Sequence, residues 1–287
     1  MDKKVTEKQI QWYPGHMFKS IREIKEKIKL MDLVIILLDA RLPISSMNPQ
    51  ILGIVKHKPI LLLFNKMDLA DPNILNQHIT YYEENGFEGL KIDAQSQINT
   101  NKIHEKAQSI LKEKLDRNKA KGLLERPIRT MILGIPNVGK STLINALSGK
   151  KATKTGNKPG VTKAQQWIKL GNNFELLDTP GVLWPRFDDP KVGYHLAVTG
   201  AIKDDIIPID DVCHYALVFL KDHYPKRLLD KYDIPLEMFD YVEMLDQIGK
   251  QRGALLKGAE IDYDRVYHII LTDIRNKALG GLSFDRI

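Results

Sequence analysis

Five stretches of the chain are apolar at nearly every position, and most lead into segments with helical spacing. They are DLVIILLDAR (32–41), PILLLFNKMD (59–68), GLKIDAQS (89–96), IRTMILGIP (128–136) and FELLDTPG (174–181). Strands apolar on both faces belong in parallel sheets covered by helices on either side. The helices are predicted near 73–85, 101–120 and 140–148. Ahead of the first strand, residues 17–30 set Ile21, Ile24 and Ile28 on one helical face. This half of the chain therefore reads as α/β, a mostly parallel, doubly wound sheet.

After about Trp184 the alternation stops. HYALVFLKDHY (214–224), PLEMFDYVEML (235–245) and DYDRVYHIILTDIRNKAL (262–279) have helical spacing, and Val266, Ile269, Ile270 and Ile274 form one apolar stripe. LGG at 279–281 supplies a helix stop. The expected organisation is an α/β domain over 1–185, including the N-terminal helical segment, then a small all-helical domain over 190–287. A length of 287 residues suits one domain plus a smaller one.

Composition narrows the setting. A single cysteine, Cys213, excludes an internal disulfide and fits a reducing cytoplasm. It reads as a helix packing residue. The longest apolar run, LVIILL at 33–38, is far too short to span a bilayer, and no apolar stretch backs the charged start, so a soluble protein with no membrane partner is expected. His195 and His214 lack metal-ligand spacing, and no zinc site is expected. The net charge is +7, but residues 190–287 hold 13 Lys+Arg against 16 Asp+Glu, which leaves the excess in the first part. Its densest run holds Lys150, Lys151, Lys154, Lys158, Lys163 and Lys169 with no acid among them. Such a run fits a solvated face or a phosphate-rich partner.

Three motifs carry chemistry. GIPNVGKS (134–141) is G-x-x-x-x-G-K-S between a strand and a helix, the setting of a phosphate loop. Its glycines let backbone N–H groups turn toward phosphate oxygens, and the following helix N-terminus favours anions. Asn137, Val138, Gly139, Lys140, Ser141 and Thr142 are the expected nucleotide contacts. Lys140 reaches the β- and γ-phosphates and is the catalytic cation; the Ser141 hydroxyl binds Mg²⁺. In DTPG (178–181), Asp178 is placed to hold Mg²⁺ through water and the Gly181 N–H to meet the γ-phosphate. NKMD, Asn65, Lys66, Met67 and Asp68, reads the base. The Asp68 carboxylate accepts from the two adjacent donors of guanine, N1–H and the 2-amino group, whereas adenine would leave a charge unpaired. IDAQS (92–96) contributes Asp93 and Ala94, with the Ala94 N–H facing guanine O6. Thr162 in KPGVTK is the expected switch threonine, a ligand of Mg²⁺ in the GTP state, with Thr153 and Thr155 as alternatives.

With WYPGHM, DAR, NKMD, GIPNVGKS, KPGVT and DTPG in that order, and a helical segment after them, the chain resembles the circularly permuted GTPases, specifically the ribosome biogenesis GTPase A (YlqF-type) family. In this order the base reader precedes the phosphate loop. A doubly wound sheet keeps its contacts when the chain is cut elsewhere, but rejoining the ends places the segment after DTPG directly before the helical domain. The expected consequence is a link between nucleotide state and domain orientation. The resemblance implies hydrolysis of GTP to GDP with Mg²⁺ in late assembly of the large (50S) ribosomal subunit. It implies binding of rRNA in the GTP state, release after hydrolysis, and contacts with ribosomal proteins; nothing demands more than a monomer.

Val182 and Leu183 follow DTPG where many regulatory GTPases carry a water-orienting glutamine. The resemblance assigns that role to His16 in WYPGHM, and to Asn137 a carbonyl that helps hold K⁺. Lys250, Arg252 and Lys257, with Lys221, Lys226, Arg227 and Lys231, are candidate RNA contacts. Two other readings stay open: a nucleotide-gated binding module with little intrinsic catalysis, and a metabolite kinase, against which NKMD speaks.

Overall fold

The structure is a computed structural model that describes residues 10, 12–124, 126–149, 166–170, 174–235, 237–238 and 240–287. Helix α1 (Gly15–Lys27) leads into β1 (Leu33–Asp39), all seven residues of which are buried. Then follow α2 (Pro49–Val55), β2 (Ile60–Asn65), α3 (Pro72–Glu84), β3 (Glu88–Lys91) and α4 (Lys102–Ala120). The second half of the sheet brings β4 (Ile128–Gly134), α5 (Lys140–Ser148), β5 (Gln166–Lys169) and β6 (Phe174–Asp178). The sheet runs β3-β2-β1-β4-β6-β5, parallel throughout except for the antiparallel edge strand β5.

The five predicted strands are present and mutually parallel. β5 was not predicted: QWIK is short, with Ile168 its one buried residue, so periodicity carries little signal there. α2 also escaped the pattern, although its start has a clear physical signature. Asn48 accepts hydrogen bonds from the Gln50 and Ile51 amides, and Pro49 fills the first turn, where no N–H partner is needed. α1 buries Met17, Ile21 and Ile24 beneath the sheet, and Ile28 follows them in.

Beyond the sheet lie α6 (Pro190–Val198), α7 (Ile209–His223), α8 (Pro225–Tyr232), α9 (Tyr241–Arg252) and α10 (Tyr263–Arg275). PLEMFDYVEML is helical only from Tyr241, because Asp240 caps the helix by accepting from the Val242 and Glu243 amides. On α10 the predicted stripe is inward, with Val266, Ile270 and Ile274 buried. Cys213 lies buried on α7, and burial pushes its thiol up.

The residues after LGG do not stay with the helices. Leu282 N–H donates to the Leu69 carbonyl and Phe284 N–H to the Arg41 carbonyl, both at 2.8 Å. Asp285 accepts from the Ile44 and Ser45 amides at 2.7 Å each and from Ser45 Oγ at 2.5 Å. His195 Nδ1 of α6 lies 3.0 Å from the same carboxylate, and Nε2 lies 2.7 Å from the Tyr215 hydroxyl of α7. A 190–287 boundary therefore divides a continuous packing arrangement, with the tail belonging spatially to the α/β part.

The segment that joins α4 to β4 is held at its end by Asp32. Asp32 accepts from Lys114 Nζ at 2.7 Å, Arg126 Nη1 at 2.7 Å and the Arg129 amide at 3.0 Å. Burial alone would raise this carboxyl, but the hydrogen bonds from Arg126, Lys114 and the Arg129 amide bring it down from 3.8 to about 2. A carboxyl lowered in the folded state adds stability above its unfolded pKa and loses it as pH falls through the folded one. Stability from this cluster should be complete above about pH 4 and fade toward about pH 2. Asp32→Asn should flatten that part of the acid-unfolding curve measured by circular dichroism.

Candidate nucleotide-binding site

Parallel strands direct their C-terminal ends to one edge of the sheet, and loops there form the binding crevice. β1 delivers Asp39, β2 delivers Asn65, β4 runs into the phosphate loop, and β6 ends at Asp178. Neighbouring β1 and β4 thus bring the motifs together although the base motif and phosphate loop are far apart along the chain.

Asn65 joins the two halves. Its Nδ2 donates to the Val138 carbonyl at 2.8 Å, and its Oδ1 accepts from the Ala94 amide at 2.9 Å. The Ala94 N–H, read from sequence as facing guanine O6, is here committed to Asn65, whose buried amide oxygen requires a donor. Gly139, at φ +99°, faces Asn65 so closely that a Cβ would collide with its Nδ2. Lys66 adopts left-handed φ/ψ, and its ammonium donates to Asp39 Oδ2 at 3.0 Å and to the Asn137 carbonyl at 2.8 Å. Met67 starts a short turn whose N–H donates to the Ile92 carbonyl, tying NKMD to the 92–96 segment. Asp68 is exposed at the rim, while Asp93 is buried and caps the Gln95 amide.

Lys140 opens α5 and is buried. Its ammonium donates back to the Gly134 and Ile135 carbonyls at 3.1 and 2.8 Å. Burial lowers its pKa to about 8, with Asp178 opposing and Lys66 reinforcing the shift. Burial raises the Asp178 carboxyl to about 6 against the pull of Lys140. Asp178 Oδ1 is buried with no hydrogen-bond partner among the described residues. An unpartnered buried carboxylate oxygen at the end of β6 fits a hydrated cation such as Mg²⁺, which Asp178 would hold together with the Ser141 hydroxyl at the start of α5. Ser141 and Thr142 occupy the first turn of α5, both half-buried.

Gly181 closes on the phosphate loop: a Cβ there would come within 2.7 Å of Pro136 N and Cα, and the next amide, Val182 N–H, donates to the Gly134 carbonyl at 3.2 Å. Val182 and Leu183 are fully buried. Asn48 Nδ2 donates to the Val182 carbonyl at 3.0 Å, and the Leu183 amide donates to Met17 Sδ at 3.4 Å. The second contact seats α1 against the segment after DTPG. It leaves His16, the residue before Met17, exposed on the first turn. Asn137 Nδ2 donates to the Gly200 carbonyl at 2.8 Å, so the phosphate loop touches the helical part directly. Thr162, Thr153, Thr155 and five lysines of the basic run, from Lys150 to Lys163, lie outside the described residues.

Sequence reasoning passed over Asp39 and Arg41 as chemistry, although DAR closes an otherwise apolar strand. Arg41 is buried and forks onto Asp39, Nε to Oδ1 at 2.9 Å and Nη2 to Oδ2 at 2.7 Å. Burial works against the carboxylate, but Arg41 and Lys66 hold Asp39 well below the usual carboxylate range. Two charged residues at the end of a buried strand were the available signal.

Known proteins resemble this chain in sequence and in fold. A family model described as "50S ribosome-binding GTPase" matches residues 129–245. The chain is 52% identical over 277 residues to ribosome biogenesis GTPase A of Priestia megaterium, covering 96% of each protein. The corresponding protein of Thermotoga maritima is 29% identical over 277 residues, covering 96% of this chain and 94% of that one. The crystal structure of GNP-bound YlqF from T. maritima superposes with a TM-score of 0.65 at 24% identity, covering 93% of this chain and 98% of that one. This last likeness concerns the fold.

Two measurements test the site. Arg41→Met removes the guanidinium from the buried Asp39 charge and leaves Lys66 as the cation there, and should cost about 3–5 kcal/mol in urea unfolding. Phosphate seated against Lys140 should raise its pKa from about 8, so nucleotide binding at slightly alkaline pH should take up protons. Calorimetry in buffers of different ionisation enthalpy reads that uptake, and Lys140→Met should abolish it.

Proposed function

Because the chain belongs to the ribosome biogenesis GTPase A family, we propose that it works on the large ribosomal subunit late in assembly, in the cytoplasm. In this reading it binds rRNA with GTP bound and leaves after hydrolysis to GDP. The observation that carries the reading is the direct contact of phosphate loop and helical part, Asn137 Nδ2 to the Gly200 carbonyl at 2.8 Å. A nucleotide-dependent rearrangement of the loop would be felt at once by the helices that carry Lys221, Lys226, Arg227, Lys231, Lys250 and Arg252, whose segments are the proposed RNA contacts along with Lys257. The name of the matching family model, a 50S ribosome-binding GTPase, supports the same partner.

In this reading each site residue has a role. Asp68 accepts the guanine donors; Asn65, Lys66 and Met67 hold its loop, and Asp93 and Ala94 brace it from the adjoining segment. The amides of Asn137, Val138 and Gly139 face phosphate, Lys140 exchanges loop carbonyls for phosphate oxygens, and Thr142 lies beside them on α5. Ser141 and Asp178 hold Mg²⁺, with Thr162 completing the set in the GTP state, and Gly181 offers its N–H to the γ-phosphate. K⁺ at Asn137 is an additional electrostatic aid.

The fully buried Val182 and Leu183 offer no polar side chain to a water. That favours slow intrinsic turnover, with His16 brought in when the ribosomal particle orders the N-terminal segment. The same observation keeps a nucleotide-gated module with little catalysis as the second reading. GTP hydrolysis with and without purified large subunits, in K⁺ and in Na⁺, separates the two. Particle stimulation of about a hundredfold or more, the lower end of what a positioned general base supplies, should appear in wild type and vanish in His16→Ala. Absence of stimulation in either salt would leave the gated module.

A further inference from the structure

The helical part reaches the nucleotide site at a second place, opposite the phosphate loop. After α10 the chain turns at Lys277, which has φ +65°, and the Gly280 amide donates to the Lys277 carbonyl at 2.9 Å. Gly281 then presses on the Ala70 carbonyl so closely that a Cβ would collide with it. Leu282 N–H donates to the Leu69 carbonyl at 2.8 Å, and the Asp71 amide donates to Ser283 Oγ at 3.2 Å. Residues 281–283 therefore lie along 69–71, the stretch that directly continues NKMD, and Lys277 opens the turn that brings them there. Lys277 is the cation of this turn and is exposed, as is Asp68.

We propose that Lys277 is a positioning residue for guanine recognition, supplied by the helical part to hold the Asp68 carboxylate ready for the base donors. The role rests on Asp68 being the base reader, as proposed above. The charges around Asp68 explain why a cation is useful there. Although its side chain reaches the surface, partial desolvation by the surrounding loops pushes its carboxyl up, and Asp93 from the neighbouring segment adds to that push; Lys277 and, from the loop after β1, Arg41 oppose it. Lys66, in Asp68's own loop after β2, also interacts with Asp68, but it is engaged by Asp39 and the Asn137 carbonyl. Arg41 is committed to Asp39. Lys277 is the cation in this group without such an engagement among the described hydrogen bonds and ion pairs. A protonated Asp68 cannot accept both guanine donors, so losing Lys277 weakens binding most where Asp68 begins to titrate.

The test is the affinity of the full chain for GDP, followed with a fluorescent GDP from neutral pH down toward about pH 5 at low salt. Lys277→Gln should weaken binding about two- to fivefold at neutral pH, the range of an exposed ion pair. The deficit should widen as pH falls and narrow at about 0.5 M salt. Lys277→Arg should restore wild-type behaviour. In an Asp68→Asn background, Lys277→Gln should change nothing further. An unchanged affinity in Lys277→Gln alongside a weakened Asp68→Asn overturns the role of Lys277 and leaves the base assignment standing. An equal loss from Lys277→Gln in both backgrounds also overturns it, because the effect would then not pass through Asp68. If Asp68→Asn itself binds GDP normally, the base assignment fails and takes this role with it.

Discussion

A single buried carboxylate, Asp39, is the constraint around which the site is arranged. Its oxygens accept from Arg41 and Lys66, and each cation carries a second commitment: Lys66 Nζ to the Asn137 carbonyl, and Arg41 Nη2 to the Thr199 carbonyl at 3.4 Å. One charge at the end of β1 thereby fixes the base loop, the phosphate loop and the segment between α6 and α7. Desolvating three ionised groups costs more than their attraction returns unless the geometry is good. The bidentate fork supplies that geometry, and what it yields is a defined relative placement of three segments.

The parallel strands were legible because Leu, Ile, Val and Met fill 33–38, 60–63 and 131–133 without a polar break. The long amphipathic helices were legible from spacing. The phosphate loop, DTPG and NKMD stand out because their chemistry depends on local backbone shape, which a few adjacent residues encode. What escaped notice depends on partners distant in sequence. Ser45, His195, Tyr215 and Asp285 meet from four segments, and no local pattern announces that meeting. Asn48 is similar: its oxygen caps α2, a local role, while its amide holds Val182 across the molecule. β5 was missed because an edge strand with one buried residue has almost no periodicity.

The permuted order acquires physical content from these contacts. The helical part is joined covalently to the end of the DTPG segment and touches the phosphate loop through Gly200. It also returns through its tail to the loops after β1 and β2. Three separate attachments on one small region make a hinged, independent domain a poor description. The helices are better regarded as a cover on the rim of the crevice, so displacement of one attachment strains the others.

The seam between β1 and β4 has one more consequence. Residues 33–94 contain the whole base half, and residues 128–182 the whole phosphate half, so each is a nearly contiguous cooperative unit of the kind that opens and closes together. In the unpermuted arrangement the same two blocks stand in the opposite order along the chain. Here a nucleotide lying across the crevice would act as a tether between two folding units, adding about 2.7 kcal/mol to their docking when present at a hundredfold excess over its dissociation constant. Amide exchange in the paired residues Val34–Leu37 and Met131–Gly134, buried at that seam, would then report occupancy of the site.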